Sequence, residues 1–188
     1  MDRKDIERAK AFAARAHEGQ VRKSTRIPYI EHPLRVASIL EEMGCAPETI
    51  IAGLLHDTTE DTDITLDRIV EEFGVRVAEI VAGCCEPDRS LPWEDRKAHT
   101  IGTLRDASFD AALVSAADKL DNLRSIERDL ARIGDQVWSR FNRGRNPQAW
   151  YYRGVLEGLR SNPTEISSHA ILDLLEEQIA CVFGMESR

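Results

Sequence analysis

Long apolar runs are missing from this 188-residue chain. Stretches such as Ile50 to Leu55 fall far short of the roughly 20 residues that a membrane-spanning helix needs. The four cysteines, Cys45, Cys84, Cys85 and Cys181, form no Cys-x-x-Cys pair, which argues against a thiolate zinc site and a disulfide framework and leaves free thiols. Proline and glycine are few and scattered, aromatics make up 6%, and no apolar–polar alternation runs beyond a few residues. Neither a low-complexity tract nor a sheet is expected. No apolar stretch follows the charged opening Met1-Asp2-Arg3-Lys4-Asp5, so no signal peptide is legible and a cytoplasmic location is expected. Positive charge is also short. A net charge of −8 argues against nucleic-acid binding, though not against a small anionic substrate drawn to the local field of a metal ion.

The 42% apolar and 31% charged residues that are present fit one well-packed globular core. Apolar residues recur at helical spacing, as in Ile6, Ala9, Phe12, Ala13 and Ala16. The pattern predicts helices over 5–17, 33–43, 47–57, 66–73, 75–85, 94–105, 110–133, 147–160 and 165–183. Pro33, Pro47 and Pro147 stand in first turns, and Gly44, Gly74 and Gly134 where helices stop. A polar, turn-rich segment fills 19–29. The expected fold is all-α: a single-domain helical bundle over 1–188, with a core over about 1–130 and a helical extension over about 135–184.

Four segments hold side chains that a metal ion would take. His32 stands at the mouth of a helix before Pro33. His56 and Asp57 are adjacent at the end of an apolar helix, and Thr58-Thr59-Glu60-Asp61 follows at once. Asp118 lies far downstream in an otherwise apolar helix. Singly, each has an ordinary account: a helix cap, a helix C-terminus, a solvated loop. Asp118 resists such an account, because Leu113, Val114, Ala116, Ala117, Leu120 and Leu123 surround it and a buried carboxylate is costly unless paired or coordinated. Asn122 at i+4 and Ser125 at i+7 share its helix face, and Arg132 extends the stripe. If the helix through His56 continues one more turn, His56–Glu60 and Asp57–Asp61 become i,i+4 pairs. Two histidines and two carboxylates suit Mn²⁺, Fe²⁺ or Zn²⁺, leave positions for water and substrate, and place a carboxylate within reach of the water that a metal acidifies.

In that order, His32, His56-Asp57 and Asp118 resemble the H…HD…D signature of the HD phosphohydrolase superfamily. Arg22-Lys23-Ser24, Pro28-Tyr29-Ile30-Glu31-His32-Pro33, Leu55-His56-Asp57-Thr58-Thr59-Glu60-Asp61-Thr62-Asp63 and Ala117-Asp118-Lys119-Leu120-Asp121-Asn122-Leu123 extend the likeness. Together they resemble the hydrolase domain of RelA/SpoT homologues, in its short, hydrolase-only form. The resemblance implies an all-helical Mn²⁺ enzyme, other divalent ions remaining open, that removes the 3′-pyrophosphate of (p)ppGpp to give GDP or GTP and pyrophosphate. It implies metal ligation by His32, His56, Asp57 and Asp118, and a place beside the attacking water for Glu60 and Asp61. Phosphate contacts would fall to Arg22 and Lys23, and the nucleoside pocket to Asn122 and Ser125. Arg132 matches a further substrate position by spacing alone.

The chain departs from the family at Gly83-Cys84-Cys85-Glu86-Pro87-Asp88, where a threonine- and aspartate-rich stretch is expected. No synthetase domain of the kind the long RelA/SpoT proteins carry is expected in these 188 residues. The segment from Trp138 to Tyr152, with Arg140, Arg143, Arg145 and the following Arg153, reads either as a cover over the nucleotide or, more simply, as a packed helical hairpin. The alternative substrates are (p)ppApp, the 2′-phosphate of NADPH, and nucleoside mono- or triphosphates. A non-catalytic sensor on the same fold is disfavoured by the complete ligand set. The sequence leaves open the base, the number of phosphates, the physiological metal and whether the chain forms a homo-oligomer. The partner expected is a small nucleotide, with no nucleic acid and no membrane.

Overall fold

A computed structural model of the protein describes residues 1–22, 25–86 and 90–184. Ten α-helices succeed one another in the described residues: α1 (Arg3–Ala16), α2 (Glu31–Glu42), α3 (Pro47–Leu55), α4 (Thr58–Asp61), α5 (Leu66–Phe73), α6 (Val75–Ala82), α7 (Trp93–Leu104), α8 (Phe109–Ile133), α9 (Arg145–Arg160) and α10 (Ala170–Phe183). Two 3₁₀ segments, Gly134–Arg140 and Glu165–Ser168, complete the inventory. Among the described residues the only extended pairing is one antiparallel bridge between Val21 and Pro28. The all-α expectation holds. No described helix is long and apolar enough to cross a membrane.

The chain falls into two compact units, one of residues 1–86 and 108–118, the other of 87–107 and 119–188. In the first, α3 is the central element and packs against α1, α2 and α6. Every residue from Thr49 to Leu55 is buried. Gly53 lets α2 approach, because a β-carbon there would stand 2.5 Å from Leu40 Cδ1. Gly74, at φ +83°, makes the turn from α5 to α6, a conformation that favours glycine. The first turns of α8 bury Ala111, Ala112, Leu113, Val114, Ala116 and Ala117, each at most 2% exposed. Burying one such leucine stabilises the unit by about 1.5–3 kcal/mol.

In the second unit α7 packs on α9 and α9 on α10. Gly158 permits the first contact, since a β-carbon there would meet the Ile101 carbonyl oxygen at 2.8 Å. Asn162 donates to the carbonyls of Leu104 (2.8 Å) and Ala107 (3.0 Å), satisfying acceptors left open where α7 ends.

Candidate metal centre

Three elements of the first unit bring four side chains together. α2 carries His32 in its first turn. His56 and Asp57 form the turn between α3 and α4. Asp118 stands in the apolar part of α8, 8% exposed. His32 Nε2 lies 3.1 Å from Asp118 Oδ1 and 3.6 Å from Asp57 Oδ2; His56 Nε2 lies 3.2 Å from Asp57 Oδ2 and 3.9 Å from Asp118 Oδ1. Donor atoms of His32, His56 and Asp118 all fall within 4.8 Å of one another.

The His56 ring is aimed by its own helix. Its Nδ1–H donates to the Gly53 carbonyl at 2.9 Å, and because that carbonyl can only accept, Nε2 is the nitrogen left for the cluster. Nε2 is buried and has no hydrogen-bond partner; Asp57 Oδ2 is near but off the hydrogen-bonding direction. Burial works against the His56 imidazolium, but the charges of Asp57 and Asp118 prevail and lift its pKa to about 9. Burial likewise opposes the Asp57 carboxylate, yet His56 and then His32 hold it well below the usual range. One buried and one half-buried carboxylate beside two buried rings call for a cation, and the nitrogen–oxygen donor set suits a divalent ion. The unpartnered Nε2 is where such an ion would bond. The residues fit a divalent metal.

Asp57 is held from a second side by Tyr29, whose hydroxyl donates to Oδ2 at 2.7 Å. Burial and then the Asp57 charge push that hydroxyl well above its ordinary pKa, so it remains a donor. The Arg22 guanidinium lies over the Tyr29 ring, 5.9 Å from its centroid, which brings this phosphate candidate beside the cluster. Lys23 lies outside the described residues.

α4 carries the two remaining carboxylates. Its backbone starts from Asp57, whose carbonyl accepts from the N–H groups of Glu60 (3.2 Å) and Asp61 (2.9 Å). The helix through His56 therefore does not continue unbroken: α3 stops at Leu55, and the turn at 56–57 lets two adjacent side chains enter one cluster. Glu60 Oε1 accepts from the Glu86 N–H at 2.8 Å, and Cys85 Sγ lies 3.4 Å from Thr59 Oγ1. The segment that departs from the family thus braces Glu60. Its Pro87 and Asp88 lie outside the described residues.

Asn122, Ser125 and Arg132 lie further along α8, in the second unit. Asn122 and Ser125 are half-buried, and Arg132 is exposed and paired with Asp129 at 2.9 Å. In the same unit Arg140 pairs with Asp129, Arg143 with Glu94, Arg145 with the Phe183 carbonyl and Arg153 with the Gly184 carbonyl. Trp138 and Tyr152 stack on Phe183. α9, which begins at Arg145, packs on α10, and Trp138 lies against Phe183 at the end of α10. Sequence reasoning assigned no role to Tyr29, His17, Gln20 or Glu86. Tyr29, three residues before His32, was within reach of a spacing argument; Glu86 acts through its backbone and carries no side-chain signal.

The sequence profile of the HD domain matches residues 9–148. A curated zebrafish relative, guanosine-3′,5′-bis(diphosphate) 3′-pyrophosphohydrolase MESH1, is 44% identical over 131 residues, 68% of this chain and 70% of its own length. An Aquifex aeolicus guanosine-3′,5′-bis(diphosphate) 3′-pyrophosphohydrolase is 41% identical over 125 residues, but this chain spans only 18% of that longer protein. Among solved structures, a metazoan orthologue of SpoT that hydrolyses ppGpp superposes with a TM-score of 0.73 at 28% identity, covering 95% of this chain and 97% of the other. With three quarters of its length under the family profile and His32, His56, Asp57 and Asp118 gathered at one point, the chain belongs to the HD-domain family, alongside its short MESH1-type members.

Proposed function

We propose that the protein hydrolyses the 3′-pyrophosphate of (p)ppGpp to GDP or GTP and pyrophosphate, with Mn²⁺ held by His32, His56, Asp57 and Asp118. The observation that carries this reading is the meeting of four buried or half-buried metal-type side chains, with Glu60 three residues along the chain from Asp57 and its carboxylate fixed by the Glu86 backbone amide. The relatives named above, which bear that activity in their names, support the choice of substrate.

When bound, the ion neutralises phosphate charge and acidifies water. The chain supplies the rest. Glu60, steadied by Glu86, takes a proton from the attacking water, and Asp61 orients that water. The water oxygen bonds to the phosphorus next to the 3′ oxygen, the bond from that phosphorus to the 3′ oxygen breaks, and the 3′ oxygen takes up a proton. Arg22 and Lys23 bind phosphate oxygens. Asn122 and Ser125 face the nucleoside, with Arg132 as an outer substrate contact.

The test is to incubate the Mn²⁺-loaded protein with ppGpp, ppApp, NADPH, GTP and deoxynucleoside triphosphates and to identify the products. Intact pyrophosphate from ppGpp supports the reading; turnover confined to GTP or deoxynucleotides assigns a different HD phosphohydrolase. Arg22 offers a second check. A charge-assisted hydrogen bond contributes about 1.5–3 kcal/mol, so Arg22→Ala should raise KM by about tenfold or more. Bound metal should be unchanged, and the effect should shrink as phosphates are removed from the substrate. An equal loss on every substrate would count against phosphate contact.

A further inference from the structure

We propose that His17 and Gln20 are positioning residues for hydrolysis: together they tie down the end of α4 and so set where Glu60 and Asp61 stand. This rests on the reading above that those carboxylates serve the attacking water.

α4 has four residues, and its last carbonyl, that of Asp61, lies where a helix leaves acceptors open. The acceptor is filled from 41 residues upstream, by the Gln20 Nε2–H group at 2.7 Å. A carbonyl can only accept, so this bond fixes which end of the Gln20 amide faces Asp61. The other end, Oε1, faces the Nδ1 of His17 at 2.8 Å, and because Oε1 only accepts, the His17 ring must carry its proton on Nδ1. One chain of donors therefore runs from His17 through Gln20 to the Asp61 backbone.

His17 is 2% exposed, and its Nε2 is buried without a hydrogen-bond partner, a position that costs stability. Its ring lies against Tyr29, 4.9 Å between centroids, and Tyr29 in turn donates to Asp57. Asp57 begins the turn that carries α4. Both ends of the carboxylate-bearing turn are thus held by side chains that lean on His17.

The experiment compares kcat, KM and bound Mn²⁺ for the wild type and four variants on ppGpp. Gln20→Met keeps length and removes both hydrogen bonds; Gln20→Glu keeps the acceptor for His17 and loses the donor to Asp61. His17→Leu removes the Nδ1 donor, and His17→Asn restores a donor at that place. Small displacements of reacting groups lower rates by about 10- to 100-fold, and that loss in kcat is expected for both Gln20 variants. KM should stay within about twofold and metal content at the wild-type level. His17→Asn should recover most of the turnover that His17→Leu loses. The double variant His17→Leu/Gln20→Met should be no worse than Gln20→Met alone, since the two act in series. Wild-type kcat in Gln20→Met, or losses that multiply in the double variant, would overturn the proposal. If His17→Leu does not fold, the two variants at half-buried Gln20 decide it. A wild-type protein that leaves ppGpp intact speaks against the proposed function, whereas equal turnover by wild type and Gln20→Met speaks against the tie.

Discussion

Asp118→Ala is expected to leave the protein with no bound metal and no measurable turnover. The carboxylate sits 3.1 Å from His32 Nε2 and 3.9 Å from His56 Nε2, and it is the metal-type side chain that α8 brings to the cluster. Its neighbours Ala116, Ala117 and Leu120 are buried and offer no replacement. Altering a group that merely supports a ligand typically costs about 10- to 100-fold in metal affinity or activity, and removing a charged ligand goes beyond that. Alanine is the best helix former and suits these apolar surroundings, so α8 should persist. Metal analysis and turnover on one preparation, with circular dichroism to follow helicity, would check this. A variant that keeps its metal, or a chelator-treated wild type at full turnover, would remove the metal from the mechanism.

Glu60→Gln should separate chemistry from metal binding. Losing a positioned general base costs about 10²–10⁴-fold in rate, so kcat should fall by at least about 100-fold. The glutamine keeps an oxygen for the Glu86 N–H, and the side chain should hold its place while losing basicity and charge. Asp61→Asn should act in the same direction, and bound Mn²⁺ should stay near the wild-type level in both. Near-normal kcat in both variants would excuse these carboxylates from the reaction, and empty sites would reclassify them as ligands.

Much of this was legible in the sequence, for identifiable reasons. Helices were readable because apolar spacing reflects which face is buried, and α5 has the bounds that spacing gave. Ends were harder. α2 begins at Glu31, two residues before Pro33, because Tyr29 and Ile30 supply the first carbonyls and a proline in the first turn forgoes no hydrogen bond. The stretch 165–183 divides into a 3₁₀ turn and α10 because the His169 ring accepts from the Ile171 N–H and starts a new helix. In the cluster, Asp118 stood out in sequence because a charge among alanines and leucines needs a reason. The ties to Gln20 and Glu86 did not, since they join positions 41 and 26 residues from their targets and one donor is backbone.

The brevity of α4 bears on the order in which the protein folds. A first helical turn fixes several backbone angles in return for a single hydrogen bond, and four residues end before any further gain accrues. This turn cannot persist on its own. It is held by groups from the loop after α1 and the loop after α6, so those loops must already be near each other before Glu60 and Asp61 acquire fixed positions. Contacts of such long sequence separation close late, after local helices have formed. The residues around His56 and Asp57 are therefore expected to acquire their geometry late in assembly, and a peptide spanning only residues 47–63 is expected to carry every one of those side chains without their arrangement.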